Sequence, residues 1–203
     1  MRMLFYVLAC FLLLSCQVDK KSKVVDVSVS GKMTKLERLY LLSHDSILQS
    51  YDLSNDSITH FPNLSKYTIN NLDLSGNLLD TLIIDFLPKN LERLNLSYNY
   101  YKGKVKIYKN TLPDLKELDI SHNELEAIVI FEPLQKIILS YNNFGLISLN
   151  HEYLHYLDVS YNSRLTQEVS FEPTQIDTVV REGVAEGKRL YGPISIWSIK
   201  AIE

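Results

Sequence analysis

Cysteine is scarce in this chain, with two in 203 residues, and Cys10 lies inside an apolar run near the N-terminus. Glycine is scarce too, at seven. Its one loose cluster, Gly183, Gly187 and Gly192, lacks the spacing and context of a phosphate-cradling loop. There is no excess of positive charge: 21 Lys and Arg stand against 24 Asp and Glu, for a net charge of -3. Nothing here resembles the basic surplus of a nucleic-acid binder. The run from Leu4 to Leu14 is too short to cross a bilayer as a helix, which takes about 20 apolar residues. His44, His60 and His122 are scattered, and no set of side chains for acid-base or nucleophilic chemistry stands out. No cofactor or small-molecule substrate is expected.

What the N-terminus does contain is a sorting signal. Met1-Arg2-Met3 is a short positive start, and Leu4 to Leu14 has the length of a signal-peptide core. Leu13-Leu14-Ser15-Cys16 closes it, and this resembles the lipobox of bacterial lipoproteins. The resemblance implies cleavage before Cys16 and acylation of its thiol. Cys10 is then discarded and Cys16 is the one cysteine left, so no disulfide forms within the mature chain. One acyl chain anchors weakly, and the lipoprotein resemblance implies several, hence a firm, palmitate-type tether. Gln17 after the cysteine resembles the residues that direct lipoproteins to the cell outer membrane. Residues 17–23, Gln-Val-Asp-Lys-Lys-Ser-Lys, read as a polar linker.

The rest of the chain is periodic. Leu72-Asp-Leu-Ser-Gly-Asn77, Leu94-Asn-Leu-Ser-Tyr-Asn99 and Leu118-Asp-Ile-Ser-His-Asn123 are the cleanest copies. Ile137-Ile-Leu-Ser-Tyr-Asn142 and Leu157-Asp-Val-Ser-Tyr-Asn162 follow, and Tyr51-Asp-Leu-Ser-Asn-Asp56 precedes them with Asp in place of Asn. An aliphatic stands three residues before each: Leu48, Ile69, Leu91, Leu115, Leu134 and Leu154. The pattern L-x-x-L-x-L-x-x-N resembles the leucine-rich-repeat family. The resemblance implies a solenoid of the α/β horseshoe class, built mainly of short parallel β-strands. Successive copies are 21, 22, 24, 19 and 20 residues apart, which suits an extended or 3-10 convex side better than a full helix.

The columns of the repeat have separate tasks. In a strand, side chains alternate between faces, so L-x-L sends both aliphatics into the core and x outwards. An amide in the Asn column, where the chain leaves the strand, can satisfy backbone groups of adjacent coils. Leu79, Leu125 and Phe144, two residues past the Asn, add another core layer, with Ile58 and Tyr101 at the same place in their copies. A stack of this kind needs closed ends. Residues 24–47, with Val25, Val27 and Val29 and then Leu36, Leu39 and Leu41, read as an N-terminal cap. Ile176 and Val179 resemble a seventh strand entry with Arg181 where an aliphatic belongs. That copy, with Tyr191, Ile194, Ile196 and Trp197 behind it, would cover the last strand edge. The boundaries are therefore 1–15 signal, 16–23 tether, 24–47 cap, 48–165 about six repeats, and 166–203 last irregular repeat and C-terminal cap.

Four outward columns are expected on the concave side. Between the strand aliphatics run Asp52, Asp73, Asn95, Asp119, Ile138 and Asp158, followed by an all-serine column from Ser54 to Ser160. Beside the serines run Asn55, Gly76, Tyr98, His122, Tyr141 and Tyr161, and on the other flank Ser50, Asn71, Arg93, Glu117, Lys136 and Tyr156. Carboxylates one strand apart repel, and a metal, a basic partner or the serine hydroxyls can relieve that. Asp and Ser here also match the bare family consensus, which favours a structural role. Tyrosine off the core columns suggests docking, because it offers large contact area at low entropy cost, although the same rings can simply pack on one another. The candidate partner-binding residues are Tyr98, Tyr141, Tyr156, Tyr161, Arg93, His122, Asp119 and Asp158, with a protein as the partner.

Two short motifs carry other readings. His151-Glu-Tyr-Leu-His155 matches the H-E-x-x-H zinc motif, which needs a helix to bring both imidazoles to one face. Leu154 is the first leucine of the sixth repeat, so the segment should be extended and the motif idle. Asp45-Ser-Ile, Asp56-Ser-Ile, Asp80-Thr-Leu and Asp177-Thr-Val resemble a bacterial O-glycosylation acceptor, at Ser46, Ser57, Thr81 and Thr178. The sequence thus points to a lipid-anchored interaction or adhesion scaffold in a bacterial envelope, with an inhibitor or immunity-type protein that occludes a toxin or enzyme as the alternative. No catalysis is expected.

Overall fold

Each repeat opens with three residues that alternate out, in, out, and three residues are enough for a strand when the same triplet recurs beside it. The computed structural model describes residues 33–150, 152–165 and 176–184 and the backbone of 197–200. Within it lies a seven-stranded parallel sheet: Ile47–Asp52 (β1), Thr68–Asp73 (β2), Arg93–Asn95 (β3), Glu117–Asp119 (β5), Lys136–Ile138 (β7), Tyr156–Asp158 (β9) and Thr178–Val180 (β10). The register is uniform. Tyr51, Leu72, Leu94, Leu118, Ile137, Leu157 and Val179 stand side by side, so each expected column is a physical row. The fold is a leucine-rich-repeat solenoid of about six turns with very little helix.

On the return side of the coil the chain is extended, with one 3-10 turn at Ile84–Phe86. From the third coil it forms a second sheet, from Lys102–Ile107 (β4), Glu124–Ile130 (β6) and Leu146–Leu149 (β8), all parallel. Trp197–Lys200 (β11) runs antiparallel along β8. The irregular seventh copy is expected to cover the last strand edge, and β10 lies along β9 there. The β11 backbone, further along the chain, closes the edge of the second sheet at β8. Tyr191, Ile194 and Ile196 lie outside the described residues.

Between the two sheets the aliphatic columns make one continuous core, from Leu39 through Leu53, Leu74, Leu96, Ile120 and Leu139 to Val159, all buried. The Asn column is buried among them and works as an inner ladder. Asn123 Nδ2 donates to the carbonyls of Leu96, Ile120 and Ser121 at 3.1, 3.1 and 2.9 Å, while its Oδ1 accepts the Tyr101 N–H at 3.1 Å. Asn77, Asn99, Asn142 and Asn162 repeat the arrangement, each donating to one carbonyl of the preceding coil and accepting one N–H from that preceding coil's turn.

The exception at Asp56 has a physical reason. Before the first coil the described residues offer no carbonyl row to donate to; they offer the N-terminus of helix α1 (Lys35–Tyr40). An acceptor-only carboxylate fits it, and Asp56 takes the N–H groups of Lys35 and Leu36 at 2.9 and 2.8 Å. Thr34 and Glu37 complete a capping box at the same helix end. Leu36 and Leu39 pack on the core as the cap reading expects, but Leu41 does not: it is 73% exposed. The six-residue helix stops at Tyr40, and its inward face ends with Leu39. Val25, Val27 and Val29 lie outside the described residues.

Tyr101 is a departure from the aliphatic layer it belongs to. Its side chain is 1% exposed and its hydroxyl has no hydrogen-bond partner among the described residues. Burial raises its pKa far above the ordinary tyrosine value. A buried hydroxyl without a partner costs about 1–3 kcal/mol. Tyr101→Phe keeps the ring and removes that cost, so a gain of about 1 kcal/mol is expected in urea unfolding. A loss of stability in Tyr101→Phe would show that the hydroxyl is satisfied by a buried water.

Candidate functional site

The residue before each ladder Asn sits at a sharp corner where the chain turns out of the sheet and down into the core. That corner needs a left-handed backbone. Asn55, Tyr98, His122, Tyr141 and Tyr161 have φ between 51° and 55°, and Gly76 and Gly183 have 64° and 67°. Seven successive coils thus share one conformation that L-residues rarely adopt. Four of them fill it with a ring, a costly choice unless neighbouring coils hold the rings.

They do hold one another. Tyr98 stacks on His122 at 4.0 Å between ring centres, His122 on Tyr141 at 4.2 Å, and Tyr141 on Tyr161 at 4.4 Å, with 10° to 15° between planes. The result is a surface ladder of four rings, one per coil, with edges turned to solvent. Tyr98 is 60% exposed, against 44% for Tyr141 and 43% for Tyr161. At the far end the Tyr161 hydroxyl donates to Glu182 Oε2 at 2.9 Å, and this bond raises the phenol's pKa. A Cβ on Gly183 would stand 3.0 Å from the Tyr161 ring, so glycine lets that ring lie flat on the next coil.

The carboxylate column runs beside the ladder. In each coil that carries it, Asp Oδ1 accepts both the N–H and the hydroxyl of the serine two residues on, at 2.9 and 2.7 Å for Asp119 with Ser121. Asp52, Asp73 and Asp158 do the same with Ser54, Ser75 and Ser160, and Asn95 with Ser97. The serines were expected to face outwards. Ser97, Ser121, Ser140 and Ser160 are buried, because the corner has already begun where they stand and their hydroxyls fold under the carboxylates. The outer oxygens differ from coil to coil. Asp52 Oδ2 takes the Lys35 ammonium at 2.7 Å, which together with Ser54 holds its pKa down at about 2, and Asp73 Oδ2 takes an amide hydrogen from Asn95 at 3.3 Å. The hydrogen bonds of Asp119 and Asp158 among the described residues are those of Oδ1 with Ser121 and Ser160.

The flanking column is internally paired. Arg93 Nε donates to Glu117 at 2.9 Å, and the Lys136 ammonium lies 5.3 Å from the centre of the Tyr156 ring. Together these columns line a shallow groove whose walls include Asn71, Arg93, Glu117, Asp119, Lys136 and Ile138. Of the residues read from sequence, Tyr98, His122, Tyr141 and Tyr161 are gathered into one stack. Tyr156 and Arg93 stand across the Asp column from it. Gly76 belongs to the column as read from sequence, but Gly183, which continues it past Tyr161, and the left-handed corner that both share with the rings escaped sequence reasoning.

Over 61 residues, 29% of this chain, the sequence is 49% identical to Receptor-like protein CLAVATA2 of Arabidopsis thaliana. The chain spans 8% of that protein's length. No protein-family profile and no solved structure matches the chain. With the solenoid, the likeness fits a leucine-rich-repeat protein. It extends over about three coils and carries the repeat, not a partner.

Residues 152–155 of the zinc motif form no helix. Glu152 and Tyr153 form a turn, Leu154 is buried, and His155 leads into β9 with its N–H on the Gln135 carbonyl at 2.8 Å. The His155 ring faces Asp177 at 3.4 Å; His151 lies outside the described residues. Of the Asp-Ser/Thr-aliphatic motifs, Ser57, Thr81 and Thr178 are exposed and Ser46 is half-buried. Cys16 and the tether lie outside the described residues.

Proposed function

We propose that this protein is a lipid-anchored interaction scaffold of a bacterial cell envelope, holding a protein partner along the ring ladder and the sheet face beside it. The observation that carries the docking surface is the exposed four-ring stack. Pre-stacked aromatics present a wide, rigid, amphipathic edge with little entropy left to lose on binding, as interface hot spots do. The corner strain each ring accepts is unexplained by core packing, since the four rings stand outside the core. Support for the tether is the Leu13-Leu14-Ser15-Cys16 signal, and Gln17 favours the outer membrane. A binding role is supported by the solenoid fold, whose repeats present their columns side by side on one face.

The double variant Tyr141→Ala/Tyr161→Ala tests the placement. With a partner recovered by cross-linking on intact cells and then purified, the affinity is expected to fall at least about tenfold, the scale of losing one hot spot. Unchanged affinity would move the interface elsewhere on the solenoid.

A further inference from the structure

The return side of the solenoid changes form between the second coil and the third. Residues 80–87 run extended into the 3-10 turn at Ile84–Phe86, whereas the next coil lays down β4. β4 is the outermost strand of the second sheet, and among the described residues no backbone hydrogen bond joins it to residues 80–87. The two shapes do not pair, and the gap between them is a cavity of about 230 Å³. Leu82, Ile84 and Val105 give it apolar walls, and Asp80, Thr81, Lys104 and Lys106 give it polar ones.

Tyr101 lines the same cavity, and it is the residue whose buried hydroxyl has no hydrogen-bond partner among the described residues. Burial, and then the charge of Asp80, raise the pKa of that phenol. The hydroxyl therefore keeps its proton and is a donor at the Asp80 end of the cavity. Other groups at the cavity are already engaged. Lys102 pairs with Glu124 at 3.3 Å, and Thr81 Oγ1 donates to Asp80 Oδ1 at 3.0 Å. Lys104 and Lys106 make no ion pair among the described residues. Lysines on an edge strand also discourage pairing with another chain. That role accounts for Lys104 and Lys106, but for neither the cavity nor the unsatisfied hydroxyl, which costs the fold stability.

We infer that this cavity binds one acidic sugar unit, a pyranose ring that carries a carboxylate. The volume lies below that of drug-sized pockets, which begin at about 300 Å³, and suits a single ring. Lys104 and Lys106 hold the carboxylate, a ring hydroxyl donates to Asp80, and a sugar oxygen accepts from Tyr101. The C–H face of the ring lies on Leu82, Ile84 and Val105. A bare anion would use the lysines but meet the repulsion of Asp80. A neutral sugar would use Asp80 and leave both ammonium groups without a counter-charge. The site is separate from the ring ladder and does not rest on it.

The test titrates the purified protein with D-glucuronate, D-glucose, acetate and inorganic phosphate while NMR follows the Thr81, Lys104 and Lys106 amides. Glucuronate is expected to shift all three, at least about fivefold tighter than each other probe, the scale of one further hydrogen bond. Tyr101→Phe should lose at least about fivefold in glucuronate affinity while the fold gains stability, so the loss is not one of folding. Asp80→Ala should weaken glucuronate yet tighten acetate, because only the sugar has hydroxyls for that carboxylate. Lys104→Gln together with Lys106→Gln should bring glucuronate down to the level of glucose. Phosphate, acetate or glucose binding as tightly as glucuronate would overturn the assignment. So would unchanged glucuronate affinity in Tyr101→Phe, or silence of the three amides at tens of millimolar probe.

Discussion

Asn123→Ala is expected to destabilise the solenoid by about 3–5 kcal/mol, and Asn123→Asp by at least as much. The amide shares its two N–H bonds among three carbonyls and accepts one N–H, in a buried place. Alanine leaves the carbonyls of Leu96, Ile120 and Ser121 and the Tyr101 N–H short of a partner together, and each orphaned group costs about 1–3 kcal/mol. Aspartate keeps the acceptor but points an oxygen at three carbonyls, and burying its charge there without a cation is dearer still. The damage should be local in origin, since each coil touches only its neighbours. Urea unfolding gives the total, and hydrogen exchange should show the Tyr101 amide losing protection first. A loss below about 1 kcal/mol would mean that water replaces the amide and that the ladder is ornamental.

That ladder was legible from the sequence because its cause is periodic: a buried amide every 19 to 24 residues has few other uses. The outward Asp column and the aliphatic rows were legible for the same reason, since alternation fixes the face. Ser121 and its equivalents were misplaced because alternation fails at a corner, and spacing does not report where φ changes sign. The ring column suffered similarly. Tyr98, His122, Tyr141 and Tyr161 were visible as off-core aromatics, but parallel stacking depends on the shared left-handed backbone, which consensus letters do not state. The meaning of Gly76 and Gly183 followed only once that conformation was known. On the return side, Lys102-Gly-Lys-Val-Lys-Ile107 carries a strand's alternation, yet its pairing with β6 depends on coil length as much as on residue type. Asp56 was read as an imperfect Asn and is instead the fitting residue for a helix N-terminus.

Cys16→Ser is expected to release the protein from membranes, the largest effect among the functional variants. Each buried methylene of an acyl chain contributes about 0.8 kcal/mol, and two or more chains hold a protein firmly where one holds it reversibly. A serine hydroxyl at the lipobox position offers no thiol to acylate. Fractionated cells should show the native protein in the membrane pellet, and labelling with an alkyne fatty acid should mark it. The variant should carry no label and leave the pellet, or persist as a longer precursor with its signal uncut. An unlabelled native protein, or a serine variant that is processed and still pelleted, would overturn the tether. The functional consequence follows from geometry. Residues 17–23, fully extended, reach about 24 Å, so a scaffold held this way searches a thin layer above the membrane and meets a membrane-bound partner at high effective concentration. Released protein should therefore lose partner cross-linking in cells while keeping its affinity in solution. That split distinguishes a tether that concentrates the ring ladder near its target from a lipid that is itself part of the interface.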